Sequence, residues 1–215
     1  MNKAIVSLCK KLKENPFIIY SEADLQVLLT SELLKQDPKL YETNRIYKGK
    51  KLKTPRIHRE FPYFKGRTDV VVFSKDDIKN INFYLHVKIN QSEKRSVFCS
   101  NLIELKYSHG ELKNKEVLIK DFNKLREASN IYKSKYNYES SLFFVYYIFF
   151  DFTNRTDLKS HCETLEELLI NSKKLPIINY YLIIGPEEKW RKILSDDGNL
   201  KEYFSDSSSW KLTLI

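Results

Sequence analysis

The stretch Asn101-Leu102-Ile103-Glu104-Leu105-Lys106-Tyr107 sets two opposite charges inside an otherwise apolar run. In a strand, side chains alternate between faces, so Leu102, Glu104 and Lys106 share one face and Ile103, Leu105 and Tyr107 the other. A Glu and a Lys on a buried strand are costly unless they are paired or put to use. An ion pair near a sheet edge is one way to hold them. A second stretch offers another. Gly66-Arg67-Thr68-Asp69 runs directly into Val70-Val71-Val72-Phe73, which puts an Asp at the mouth of an apolar strand. An Asp on one strand and a Glu on its neighbour can share a divalent cation, with the Lys two residues beyond the Glu lying beside it.

Along the chain, Ile5, Leu8, Cys9 and Leu12 have helical spacing within Lys3 to Glu14, and Asn15-Pro16 ends that helix. Ser21 caps a second helix, with Asp24 as a short capping-box partner and Leu25, Leu28, Leu29 and Leu33 as its apolar stripe. Glu22 falls on that stripe, either as a site carboxylate or as an acid stabilised by the helix dipole. Residues Lys35 to Lys53 read as a loop or irregular arm carrying Arg45, Lys48, Lys50, Lys51 and Lys53 with Tyr41 and Tyr47 among them. Such a segment can track a phosphate backbone or be an ordinary solvated loop.

Arg56 to Phe61 reads as a strand, and Pro62 with Gly66 as the turn into the Asp69 strand. Glu60 reads as an edge-strand charge or a supporting carboxylate. Ile81 to Ile89 alternates as an inserted strand, and Glu116 to Tyr136 is a long helix whose core face is Val117, Leu118, Phe122, Leu125, Ala128 and Tyr132. Asp121 borders that face, flanked by Lys120 and Lys124. Ser141 to Phe152 and Ile177 to Ile184 are buried strands joined through a helix over Thr156 to Lys173, which implies parallel neighbours. A short helix follows from Pro186 to Leu194, and Trp210 to Ile215 closes the chain as an edge strand.

The ordered set of helix Glu22, strand Asp69, strand Glu104-Leu105-Lys106 and helix Asp121-x-x-Lys124 resembles the PD-(D/E)xK superfamily of restriction-endonuclease-like nucleases. Thr68 stands where the family's name has proline. The resemblance spans residues 17–150, within a single domain over 1–215. It implies an α/β fold: a central mixed β-sheet flanked by α-helices, with the inserted strand and a C-terminal strand–helix–strand extension. It further implies a Mg²⁺-dependent endodeoxyribonuclease of restriction or defence type, with Mn²⁺ as a substitute ion. Asp69, Glu104 and the backbone carbonyl of Leu105 would be metal ligands, and Glu22 would serve a second metal or act through water. Lys106 would orient or deprotonate the attacking water or steady the phosphate. Arg67, Lys120, Asp121 and Lys124 would meet nucleic acid, DNA before RNA, and a homodimer is left open.

Composition agrees with that partner. Lys and Arg number 37 against 28 acidic residues, a formal charge of +9 that favours a polyanion. Cys9, Cys99 and Cys162 are odd in number and have no zinc spacing, which reads as reduced thiols in a cytoplasm. The apolar run from Ser141 to Phe152 is too short to span a bilayer as a helix, so no membrane is expected. His109 follows the motif strand but reads as a solvated loop residue. The rival reading is a non-catalytic nucleic-acid-binding module on the same fold.

Overall fold

The structure is a computed structural model that describes residues 1–63, 66–80, 99–109, 115–137, 139–149, 178–185 and 210–214. The chain opens with helix α1 (Asn2–Glu14), which buries Ala4, Ile5, Leu8, Cys9 and Leu12 and carries Lys11 and Lys13 in its last turn, where the helix dipole favours them. A single 3-10 turn over Pro16–Ile18 leads to α2 (Glu22–Gln36). Ser21 Oγ accepts the Asp24 N–H at 3.2 Å, and Asp24 Oδ2 accepts from the Tyr20 N–H at 3.0 Å, so the expected cap forms.

The next segment differs from the expected loop. Tyr41–Tyr47 (β1) and Lys50–Thr54 (β2) pair as a two-stranded antiparallel sheet. A polar first strand and a Lys-rich second one lack the apolar alternation that reveals a strand, and the turn supplies the order instead. Lys48 (φ 48°) and Gly49 (φ 75°) both lie in the left-handed region, as a two-residue hairpin turn requires. Pro62, expected in a turn, also lies within a strand, opposite Arg67.

Among the described residues the main sheet has six strands in chain order: β3 (Ile57–Tyr63), β4 (Gly66–Phe73), β5 (Cys99–His109), β6 (Ser141–Phe149), β7 (Ile178–Gly185) and β8 (Trp210–Leu214). β3, β4 and β5 are antiparallel neighbours, whereas β5 through β8 run parallel. The sheet is therefore mixed, and β8 is an edge strand. α1 and α2 pack on one face, against Val70, Val72, Ile103, Leu105, Val145 and Tyr147. Helix α3 (Lys115–Tyr136) lies over β5 and β6 on the other, with the Phe122 ring 4.6 Å from that of Phe144. Leu118, Phe122, Leu125 and Ala128 are buried as expected, but Val117 is 40% exposed. It stands in the first turn, one residue off the stripe that begins at Leu118. The expected inserted strand at 81–89, the helices at 156–173 and 186–194, and Cys162 lie outside the described residues. No described helix is long and apolar enough to cross a membrane.

The α1–α2 interface contains a charge that sequence periodicity does not reveal. Glu32 is buried and receives Lys11 Nζ at 2.6 Å, Lys35 Nζ at 2.8 Å and Ser7 Oγ at 2.5 Å. Hydrogen bonds from Lys11, Lys35 and Ser7 hold its carboxyl down at about 2, against the opposing effect of burial. A depressed carboxyl stabilises the fold above its ordinary value near 4.5, and that contribution is lost as pH falls towards about 2. Glu32→Gln should thus cost about 1–3 kcal/mol near neutrality. In urea unfolding the gap between variant and wild type should close on acidification; a gap independent of pH would contradict the assignment.

Candidate functional site

The site begins where β4 and β5 part. Their antiparallel ladder pairs Val72 with Asn101, Val71 with Leu102 and Val70 with Ile103. One step on, the same register sets Asp69 beside Glu104, and residues opposite one another share a face. Here the Asp69 side chain intervenes: its Oδ2 accepts the Leu105 N–H at 2.7 Å. A backbone donor thereby fixes one carboxylate oxygen of Asp69. The Leu105 group that meets a site carboxylate is this N–H.

Glu104 and Lys106 project from β5 towards α3, as alternation requires. Lys124 Nζ lies 2.7 Å from Glu104 Oε1, and Lys106 Nζ lies 3.0 Å from Asp121 Oδ2. Asp121 and Lys124 are one turn apart on α3, so two residues spaced by two on a strand meet two spaced by three on a helix. Lys106 also reaches the first turn of α2, where its Nζ donates to Glu22 Oε1 at 3.1 Å and Oε2 at 3.2 Å. Glu22, expected on the buried stripe, has a side chain 31% exposed at the rim of the cluster.

Electrostatics separate these groups. Burial pushes the Asp69 carboxyl up to about 6, partly countered by the Leu105 N–H and the Lys106 charge. Burial and then the Asp69 charge hold Glu104 well above the usual glutamate range, with Lys124 opposing. Burial would lower Lys106, but the Asp121 and Glu22 carboxylates outweigh it and raise the ammonium above its ordinary value. Lys106 is therefore a charged donor near neutrality.

Four carboxylates and two ammonium groups meet here, a formal excess of two negative charges when all are ionised. Glu104 Oε1 and Asp121 Oδ2 are buried, each with a single ammonium group as its close partner. A divalent hard cation would balance that charge and use such oxygens. Asp69 and Glu104 are chemically suited to it. No group of three or more acidic, His or Cys side chains that could hold a metal is present among the described residues. Mg²⁺ commonly retains waters and needs only one or two carboxylates, so the donor set fits on chemistry.

Glu22, Asp69, Glu104, Lys106, Asp121 and Lys124 thus come together, whereas Lys120 is exposed on α3. Arg67 pairs with Pro62 on β4, and its side chain lies outside the described residues. His109 stacks on Phe149 with centroids 5.2 Å apart, a packing contact beyond the cluster. A further acid, read from sequence as an edge-strand charge or a supporting carboxylate, lies beside the cluster. Glu60 stands on β3 opposite Asp69, between the pairs Arg59–Val70 and Phe61–Thr68, and has φ 49°. A non-glycine residue there costs about 1–2 kcal/mol. Gln26, buried one turn beyond Glu22 on α2, donates to Glu60 Oε1 at 2.8 Å. No sequence signal marks that backbone conformation. No protein-family model, curated protein or solved structure matches the chain.

The raised carboxyls carry a definite sign. A group that binds its proton more tightly when folded favours the fold at low pH, and that contribution is lost as pH rises from near 4 through about 6 for Asp69. The change from Asp69 is about 3 kcal/mol. Asp69→Asn keeps an oxygen for the Leu105 N–H but cannot ionise. In urea unfolding without metal it should exceed wild type in stability at about pH 8 and match it below about pH 4. Parallel pH profiles for the two proteins would contradict the burial of an ionising Asp69.

Proposed function

We propose that this chain is a metal-dependent phosphodiesterase acting on nucleic acid, a nuclease with a restriction-endonuclease-like core and DNA as its substrate. The observation that carries the reading is a largely buried cluster of four carboxylates and two lysines, with a formal excess of two negative charges when all are ionised. Structural ion-pair clusters tend toward neutrality, because an uncompensated buried charge is costly. An excess of two suits a divalent cation.

Asp69 and Glu104 would hold Mg²⁺, which when bound supplies Lewis-acid stabilisation of the charge developing on a scissile phosphate. The chain's own residues do the rest. The Leu105 N–H orients Asp69. Glu22 and Asp121 hold Lys106 between them and keep it protonated, so of the roles open to it from sequence, donation to a water or phosphate oxygen fits and proton abstraction does not. Lys124 lies on the same side of the sheet and can exchange Glu104 for a phosphate. The +9 formal charge supports a polyanionic substrate.

One observation favours the rival, non-catalytic module. Lys124 lies 2.7 Å from Glu104 Oε1 and so supplies a cationic partner for one of the two proposed metal ligands. The two readings diverge at Lys106. Lys106→Met keeps length and removes charge. Under the nuclease reading, Mg²⁺-dependent cleavage of plasmid should fall by roughly two orders of magnitude or more, while duplex binding without metal changes only a few fold, since one contact among several is lost. Wild-type protein that binds DNA but cleaves no better with Mg²⁺ than with EDTA would establish the binding module instead.

A further inference from the structure

The β1–β2 hairpin stands outside the site, and nothing in the chemistry above uses it. Residues 39–53 carry six of the chain's basic residues against one acid, Glu42. Its base is tied down. Asp37, at the end of α2, accepts from Tyr41 Oη at 3.1 Å and from Arg56 Nη1 at 3.0 Å, and Arg56 Nε donates to the Phe73 carbonyl at 2.7 Å. Thr43 Oγ1 ties β1 to the Leu52 carbonyl across the ribbon. The tip is different. A Cβ placed on Gly49 would meet nothing within 4 Å. Ile46 and Tyr47 are 68% and 62% exposed, and Lys48, Lys50 and Lys51 are exposed beside them. Lys51 and Lys53 lie 4.0 and 3.9 Å from the single carboxylate of Glu42, an exposed and therefore weak contact.

We propose that this ribbon is a groove-entering arm for double-stranded DNA, with Lys48, Lys50 and Lys51 meeting phosphates along the groove walls and Ile46 turned to the base edges, while Tyr47, on the opposite face beside Lys50, lies towards a wall. The choice of DNA as partner rests on the nuclease reading; the choice of duplex and groove rests on the ribbon. Two strands about 4.8 Å apart, with their side chains, match a major groove about 12 Å wide. The deep, narrow major groove of an RNA duplex does not admit them. A pair of left-handed residues at the turn keeps the tip narrow, and the anchored base keeps the ribbon from folding back. Exposed apolar side chains at the end of a cationic hairpin suit thymine methyls and base edges better than a purely solvated loop would need.

The ribbon also has a fixed offset from the cluster. Glu22 opens α2, and Asp37, which anchors the ribbon, closes it. The helix's fifteen residues span roughly 22 Å. A duplex lying along α2 and engaging both would be held about six base pairs to one side of the point that faces Lys106.

The test is fluorescence anisotropy with a labelled 24-base-pair DNA duplex in EDTA, which suppresses cleavage. Lys48→Gln/Lys50→Gln/Lys51→Gln is compared with Lys3→Gln/Lys10→Gln/Lys13→Gln, which removes equal charge from α1. The ribbon variant should lose duplex affinity ten-fold or more at physiological salt, with the salt slope reduced by about 2–3; the α1 variant should stay within about three-fold. Single-stranded DNA and an RNA duplex of the same sequence should be indifferent to the ribbon change. Lys50→Glu, a single change at an exposed position, should repeat the loss if the triple variant folds poorly. Equal losses in the two triple variants, or equal losses on single strands or RNA, would overturn the groove assignment while leaving the nuclease reading intact. A wild-type protein with no affinity for any DNA would overturn the nuclease reading itself.

Discussion

Glu104 is 1% exposed, in the middle of a strand whose parallel neighbour sets Phe144 beside it. A carboxylate in that position is tolerated only if charge and hydrogen-bonding groups are brought to it. Much of the surrounding architecture does so. β4 stops pairing with β5 at Val70, and Asp69 takes over the Leu105 N–H. α3 lies across the same face with Asp121 and Lys124 turned inward. α2, on the opposite face, contributes Glu22 from its first turn to Lys106. Two helix layers and two strands are thus tied together through one polar cluster, and moving any of them would strand a buried charge.

The same arrangement explains why the cluster is chemically poised. Two of its carboxyls are held above their usual range by burial, while Lys106 is held in its charged form by Asp121 and Glu22 despite burial. Opposite perturbations a few ångströms apart are costly to maintain, and sites that do chemistry are where such costs recur. Contrast Glu32, which is also buried but is fully served by Lys11, Lys35 and Ser7. Its carboxyl is driven down, not up. One buried acid is satisfied and structural; the Asp69–Glu104 pair is left with charge to be balanced.

Much of this was legible in the sequence because it follows from two periodicities. Strand alternation put Glu104 and Lys106 on one face, and helical spacing put Asp121 and Lys124 at the edge of α3's apolar stripe. β6 and β7 announced themselves by continuous apolar character, and their parallel pairing followed from their separation. The hairpin at 41–54 was not legible, because polar and charged residues on both strands erase the alternation that marks a strand with one buried face. Only the Lys48-Gly49 turn gave it away, and only once the backbone angles were known. Partner choice was likewise hidden: spacing placed Lys124 near a face but could not say that Glu104, and not solvent, lies opposite. The left-handed backbone of Glu60 left no trace in composition or pattern.

We propose that the cluster's formal excess of two negative charges, reached when its carboxyls ionise, is balanced by one divalent cation. Isothermal titration of Mn²⁺ into the protein near pH 6, in two buffers of different ionisation enthalpy, tests it most directly. Binding at Asp69 and Glu104 should saturate at one ion per chain and release protons, because both carboxyls are raised and must ionise to bind. Asp69→Ala and Glu104→Ala should each abolish that heat while the protein stays folded. Binding of unchanged affinity in either variant, or no saturable binding to wild type at millimolar Mn²⁺, would show that the cluster is an ion-pair network and not a cation site.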